Sequence, residues 1–118
     1  MTPLYLFDGS PRYPKGGPPQ ATKVLWRAED FHSDLGSKIE LRWYIVLKET
    51  PKGFWIDFNF NKHFVLKGDG KRLAYETEKL ALASLKRRKQ LQIRYLRHKL
   101  DCAQTAFELC EKELAREA

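Results

Sequence analysis

The sequence predicts an α+β fold: a small antiparallel β-sheet of three to five strands packed on the first half of one long C-terminal α-helix, whose second half projects as a coiled-coil-like tail. Three observations predict it. Neither Pro nor Gly occurs between Lys71 and Ala118, so nothing interrupts a helix from about residue 77 to near residue 116. Such a helix is roughly 58 Å long at about 1.5 Å per residue, more than a 118-residue globule can cover. Within it Ile93, Leu96, Leu100, Ala103, Phe107, Cys110 and Leu114 follow one another at alternating spacings of 3 and 4, the heptad seam of a helix that meets a partner. Between residues 22 and 76, finally, apolar and polar residues alternate with the two-residue period of strands.

Residues 1–21 hold five of the six prolines and three of the seven glycines, which makes them an arm with at most a short strand at Leu4 to Phe7. Leu4, Tyr5, Leu6, Phe7 and Tyr13 give the arm apolar groups to lay on the head or on a partner. A first strand follows over residues 22–28, with Val24, Trp26 and Ala28 on one side and Lys23, Leu25 and Arg27 on the other. Residues 29–38 are polar and contain Gly36, which reads as a loop. Glu29, Asp30, His32 and Asp34 within it have no metal-ligand spacing, and a solvated acidic loop explains them better than a metal site.

The clearest strand spans residues 39–49, where Ile39, Leu41, Trp43, Ile45 and Leu47 alternate with Glu40, Arg42, Tyr44, Val46 and Lys48, so one face is core. Thr50, Pro51, Lys52 and Gly53 form a turn, with Pro51 fixing φ at the second position and Gly53 relieving crowding at the fourth. The return strand places Phe54, Ile56, Phe58 and Phe60 inward and Trp55, Asp57 and Asn59 outward. Asn61 and Lys62 turn the chain again, and residues 63–67 continue with Phe64 and Leu66 inward. Gly68, Asp69, Gly70 and Lys71 are a tight connection, too short and too irregular for a phosphate cradle. A short last strand over residues 72–75 leads to Thr77 as the helix N-cap, with Glu76 and Glu78 where negative charge suits a helix start.

The domain plan is then an arm over residues 1–21, a sheet head over 22–76 and a helix over 77–116. Residues 77–92 of the helix pack on the head and residues 93–114 carry the seam. Ala81, Leu82 and Leu85 fall on the same stripe as the seam, while Leu80, Leu91 and Tyr95 lie elsewhere around the helix.

Composition bounds the function. An apolar content of 42% excludes wholesale disorder, and 22 Lys and Arg against 15 Asp and Glu give a net charge of +7, which favours polyanionic partners. The two cysteines, Cys102 and Cys110, are eight residues apart on the helix, about 12 Å and too far for an intrachain disulfide. Free thiols and no signal-like or membrane-spanning run predict a cytoplasmic protein with no membrane partner.

The charge is concentrated in Lys86, Arg87, Arg88, Lys89, Arg94, Arg97 and Lys99, joined by His98, with no acidic residue between them. Arg87, Arg94 and His98 point away from the seam, Lys86, Arg88 and Arg97 flank it, and Lys89 falls on the apolar stripe, where it must snorkel or meet an acidic group. Beyond Lys99 the helix turns acidic, with Asp101, Glu108, Glu111, Glu113 and Glu117 against Lys112 and Arg116. Two readings follow. The band, with Arg42, Tyr44, Lys48, Trp55 and Lys67 on an outer sheet face, can lie along nucleic acid; or it keeps an exposed helix soluble and pairs with an acidic partner. Catalysis has little support: the three histidines, His32, His63 and His98, are scattered, no nucleophile has a base nearby in sequence, and no cofactor motif occurs. His98 and Cys102, four apart, are two ligands where zinc needs more.

Over about half the chain, Trp43, Tyr44, Gly53, Phe54, Trp55, Gly70, Lys71, Arg72, Ala74, Tyr75, Thr77, Ala81, Ser84, Leu85, Arg88, Lys89, Gln92 and Ile93 make a pattern that resembles small phage and prophage accessory proteins, which pair a short antiparallel sheet with a long basic helix. The resemblance implies a bacterial host and stoichiometric binding to a host machine, a defence complex or a DNA-processing enzyme, without catalysis or cofactor. The expectation is therefore a self-associating, homodimeric interaction protein that inhibits a host protein complex. The alternative is a nucleic-acid-binding module.

Overall fold

In the computed structural model the described residues are Pro18, 22–68 and 70–117. The expected arm, with its strand at Leu4 to Phe7, lies outside them apart from Pro18. Four strands, β1 (Val24–Ser33), β2 (Gly36–Glu49), β3 (Gly53–Phe58) and β4 (Asn61–Leu66), form one antiparallel sheet in the order β1-β2-β3-β4, and a single helix, α1 (Glu78–Glu117), follows. Each strand pairs with its neighbour in sequence, so every connection within the sheet is a hairpin. The α+β arrangement expected from the sequence is the one observed. The chain divides into two units, residues 1–85 and 86–118, with α1 running through the boundary.

The sheet is apolar on both faces, which corrects the expectation that only one face of β2 is core. Trp26, Ala28 and Leu41, with Val24, Ile39 and Trp43, form one cluster, covered by Ala81, Leu82 and Leu85 from the first turns of α1. On the opposite face Leu25, Phe54, Ile56 and Val65 pack with Tyr44, Val46 and Phe58, under Leu73 and Ala74. The segment carrying Leu73 and Ala74 is pinned to β1 by a two-way backbone bridge, Trp26 N to Tyr75 O at 2.6 Å and Tyr75 N to Trp26 O at 2.8 Å. That bridge replaces the short strand expected over residues 72–75. One covering element per face explains why both parities of β1 and β2 are apolar.

Residues 29–38 are not a loop. β1 and β2 pair without a break from Val24 opposite Ile45 to Ser33 opposite Gly36, and the polar side chains are satisfied along the ribbon. Arg27 pairs with Glu29, Arg42 Nε donates to Glu40 Oε1 at 2.8 Å, and His32 lies 2.6 Å from Asp30. Gly36 takes φ 126° at the ribbon's turn, a conformation L side chains rarely adopt.

Two register changes overturn inward and outward assignments. A bulge at Leu47, between the pairs Val46–Ile56 and Lys48–Trp55, puts Lys48 beside Trp55 and leaves Leu47 half exposed. The β3–β4 turn is made by Asn59 and Phe60, both at positive φ (51° and 69°), and not by Asn61 and Lys62. Directly opposed residues of antiparallel strands share a face, and this turn sets Val65 opposite the buried Phe54 and Phe64 opposite Trp55. Val65 is therefore the inward residue of β4, Phe64 turns to the opposite face, Leu66 is exposed, and Phe60, expected inward, is fully exposed.

The sheet's lower end is closed by a compact set of contacts. Glu49 receives Lys23 Nζ at 2.6 Å and Lys67 Nζ at 2.8 Å, and the same two ammonium groups sit 4.8 and 5.0 Å from the centroid of the Phe54 ring. The β2–β3 turn closes with Thr50 N donating to Gly53 O at 2.8 Å. Thr77 caps α1, its Oγ1 accepting from Leu80 N at 3.1 Å.

Gly53→Ala is expected to destabilise the fold by about 1–3 kcal/mol, since a Cβ there would stand 2.2 Å from the Val65 carbonyl oxygen and force β3 and β4 apart; thermal unfolding measures it. The two lysines hold the Glu49 carboxyl down to about 2, below its ordinary 4.5. A depressed carboxylate adds stability above its unfolded value and loses it as pH falls through the folded one. Wild type is thus expected to lose melting temperature between pH 4.5 and 2 more steeply than Glu49→Gln, with the two converging at the acid end.

Candidate interaction surfaces

The helix supplies the largest candidate surface. From Gln90 to Glu117 every side chain is exposed, and the last buried residue of α1 is Leu85. Leu91, Ile93, Tyr95, Leu96, Leu100, Phe107, Leu109 and Leu114 are each 47–68% exposed, although a helix in water ordinarily turns such groups inward. Since α1 is continuous from Glu78 to Glu117, the seam residues Ile93, Leu96, Leu100, Ala103, Phe107, Cys110 and Leu114 share one stripe, within an arc of roughly 100° at 100° per residue.

The basic band runs along the same segment. Lys86, Arg87, Arg94, Arg97, His98 and Lys99 are exposed, and Arg88 and Lys89 are partly buried. Lys89, the cation on the apolar stripe, donates from Nζ to Gln92 Oε1 at 3.0 Å, and Lys99 Nζ lies 5.7 Å from the Tyr95 ring centroid. Arg87, Arg94 and Arg97 line one shallow hollow with Gln90, Leu91 and Ile93, and have no acidic partner among the described residues.

The sheet residues expected to share an outer face are split between two. Tyr44 packs on Phe58, ring centroids 5.2 Å apart, in the Leu25 cluster, and Arg42 on that side is taken up by Glu40 and stacked 5.4 Å from Phe31. The Glu40 hydrogen bond raises the Arg42 pKa further above its ordinary value, against a smaller desolvation effect. Lys48 and Trp55 lie on the other face as a cross-strand pair. There Trp55 stacks on Phe64 with centroids 4.9 Å apart, and together with Thr50, Pro51 and Lys52 they line a shallow apolar hollow. Phe64 and Lys52 were not evident as members of this surface. The signal for Phe64 was Asn59, one of the few residues that accepts positive φ without a large penalty and so marks the turn.

A hydrogen-bonded row also forms where sequence spacing showed none. His32 lies with Nε2 2.6 Å from Asp30 Oδ2 and Nδ1 2.7 Å from Ser37 Oγ, its cross-strand partner. A carboxylate, an imidazole and a hydroxyl in line are the elements of an activated nucleophile. Here they stand near the open end of a two-stranded ribbon with His32 largely in water, where donors for a developing oxyanion have no enclosed setting. The row ties the ribbon's end together. Leu35 and Phe60, at the two hairpin turns of this same end of the sheet, are almost wholly exposed.

Cys102 and Cys110 are free and exposed, and His98 Nε2 lies 3.6 Å from Cys102 Sγ. Among the described residues no group of three His, Cys, Asp or Glu side chains is placed to hold a metal ion, and no helix is long and apolar enough to cross a membrane. Comparison with protein-family models, with curated proteins and with solved structures finds no match for the chain.

Proposed function

We propose that the chain is a non-catalytic interaction protein that self-associates through the seam of α1 and binds a host protein complex in the bacterial cytoplasm, acting there as an inhibitor of a defence or DNA-processing machine. The observation that carries self-association is the unbroken exposure of residues 90–117, with the apolar stripe in their midst. The host context rests on the resemblance to phage accessory proteins. Covering Ile93, Leu96, Leu100, Phe107 and Leu114, each about half exposed, gains roughly 1 kcal/mol apiece, or about 10 kcal/mol over two chains, comparable with the roughly 4–15 kcal/mol that association costs. Seam burial alone therefore supports a weak dimer, and the charges beside it decide the arrangement.

The test is the solution mass by light scattering. Wild type is expected to be dimeric at high micromolar concentration, and Leu96→Asp with Leu100→Asp to weaken the dimer at least tenfold, roughly 1.4 kcal/mol. A monomeric wild type at high micromolar concentration would overturn the proposal.

A second reading is favoured by one observation, that Arg87, Arg94 and Arg97 are exposed on one segment of α1 without acidic partners among the described residues. In this reading the band binds nucleic acid, and engagement of about six phosphates gives a salt slope near −5. Reversal of the three arginines to Glu is expected to abolish a low-salt gel shift of labelled duplex or single strand; absence of any shift with wild type at low salt removes this reading.

A further inference from the structure

The seam allows a second copy to lie along α1 in either direction, and the residues decide between the two. We infer that α1 pairs with a second copy antiparallel, in the register that sets Ile93 against Cys110, Leu96 against Phe107 and Leu100 against Ala103 of the second copy; this rests on the self-association proposed above.

Volume is the first argument. Antiparallel helices bring the two kinds of seam position together in every layer, and here one register does so for all six central residues at once. Layers then join Ile to Cys, Leu to Phe and Leu to Ala, so no layer holds two small side chains and volumes vary less along the interface than in the parallel arrangement. The parallel in-register alternative stacks Phe107 on Phe107 and Ala103 on Ala103, one layer crowded and the next hollow, and brings Lys89 against Lys89 on the apolar stripe.

Charge is the second. Residues 86–99 hold seven Lys and Arg and no Asp or Glu, whereas residues 101–117 hold Asp101, Glu108, Glu111, Glu113 and Glu117 against Lys112 and Arg116. Parallel pairing lays the basic half on the basic half at an interaxial distance of about 8–10 Å, close to the roughly 8 Å screening length at physiological salt, so the repulsion is felt. Antiparallel pairing lays basic on acidic. The same register continues outward to set Lys89 against Leu114 and Lys86 against Glu117, where the lysine stem covers apolar surface and its ammonium meets the acidic end.

Cysteine cross-linking tests the direction. In Cys102→Ser only Cys110 remains, and in the inferred register it lies about 25 Å along the axis from its equivalent in the second copy, so a short bismaleimide should leave the chains unlinked. In Ile93→Cys with Cys102→Ser the same reagent should convert most of the protein to covalent dimer, with mass spectrometry joining residue 93 to residue 110. Within one chain these two positions are again about 25 Å apart, so the link must be between chains. A dimer by light scattering that links 110 to 110 in the first variant, or that links in neither, overturns the antiparallel register while leaving self-association standing. A monomer by light scattering with no cross-link in either variant overturns self-association itself.

Discussion

The structure depends on how apolar surface is shared along α1. Ala81, Leu82 and Leu85 are taken up by Trp26, Ala28 and Leu41 of the sheet, and from Gln90 onward no side chain of the helix is less than exposed. A helix of 40 residues gains little from propensity alone, since most helical stability in proteins comes from packing an amphipathic face. The apolar stripe continues past Leu85, the last buried residue of the helix among the described residues. The proposed self-association rests on that mismatch.

The sheet answers the opposite problem, having too many apolar positions for one face. β1 and β2 carry large apolar residues on both parities, and two separate covers serve them, α1 on one side and the Leu73–Ala74 segment on the other. The Trp26–Tyr75 bridge fixes the second cover before the chain enters the helix. Glu49, shared by Lys23 and Lys67 over the Phe54 ring, ties the start of β1, the end of β2 and the exit from β4 into one end of the sheet. Its carboxyl is exposed, so this tie sets register more than it adds stability.

Much of this was legible in the residues. The absence of Pro and Gly after Lys71, the Thr77 cap and the Pro51–Gly53 turn located α1 and the β2–β3 hairpin within a residue or two, because each depends on local chemistry. The ribbon over residues 29–38 was hidden because its polar residues are paired across or along the strands, as in Arg27–Glu29 and Asp30–His32–Ser37, and paired polar residues look in sequence like a loop. The register of β4 was hidden for a different reason. Phe60 occupies a left-handed conformation that its side chain disfavours, so propensity pointed to Asn61 and Lys62 as the turn, and the pairing that sets Val65 opposite Phe54 and Phe64 opposite Trp55 was missed. Of the surface residues, the helical ones were found because helical spacing fixes their direction, whereas Arg42 and Tyr44 were separated from Lys48 and Trp55 by the Leu47 bulge, which leaves no mark in the alternation.

If the exposed half of α1 is completed by a partner copy, its backbone amides should be protected only while that copy is bound. Hydrogen exchange over residues 90–117, measured across a dilution series, tests this most directly. The account predicts protection at high concentration that collapses on dilution, while the amides of β2 and β3 stay unchanged. Exchange over residues 90–117 that is equally fast, or equally slow, at every concentration would contradict it.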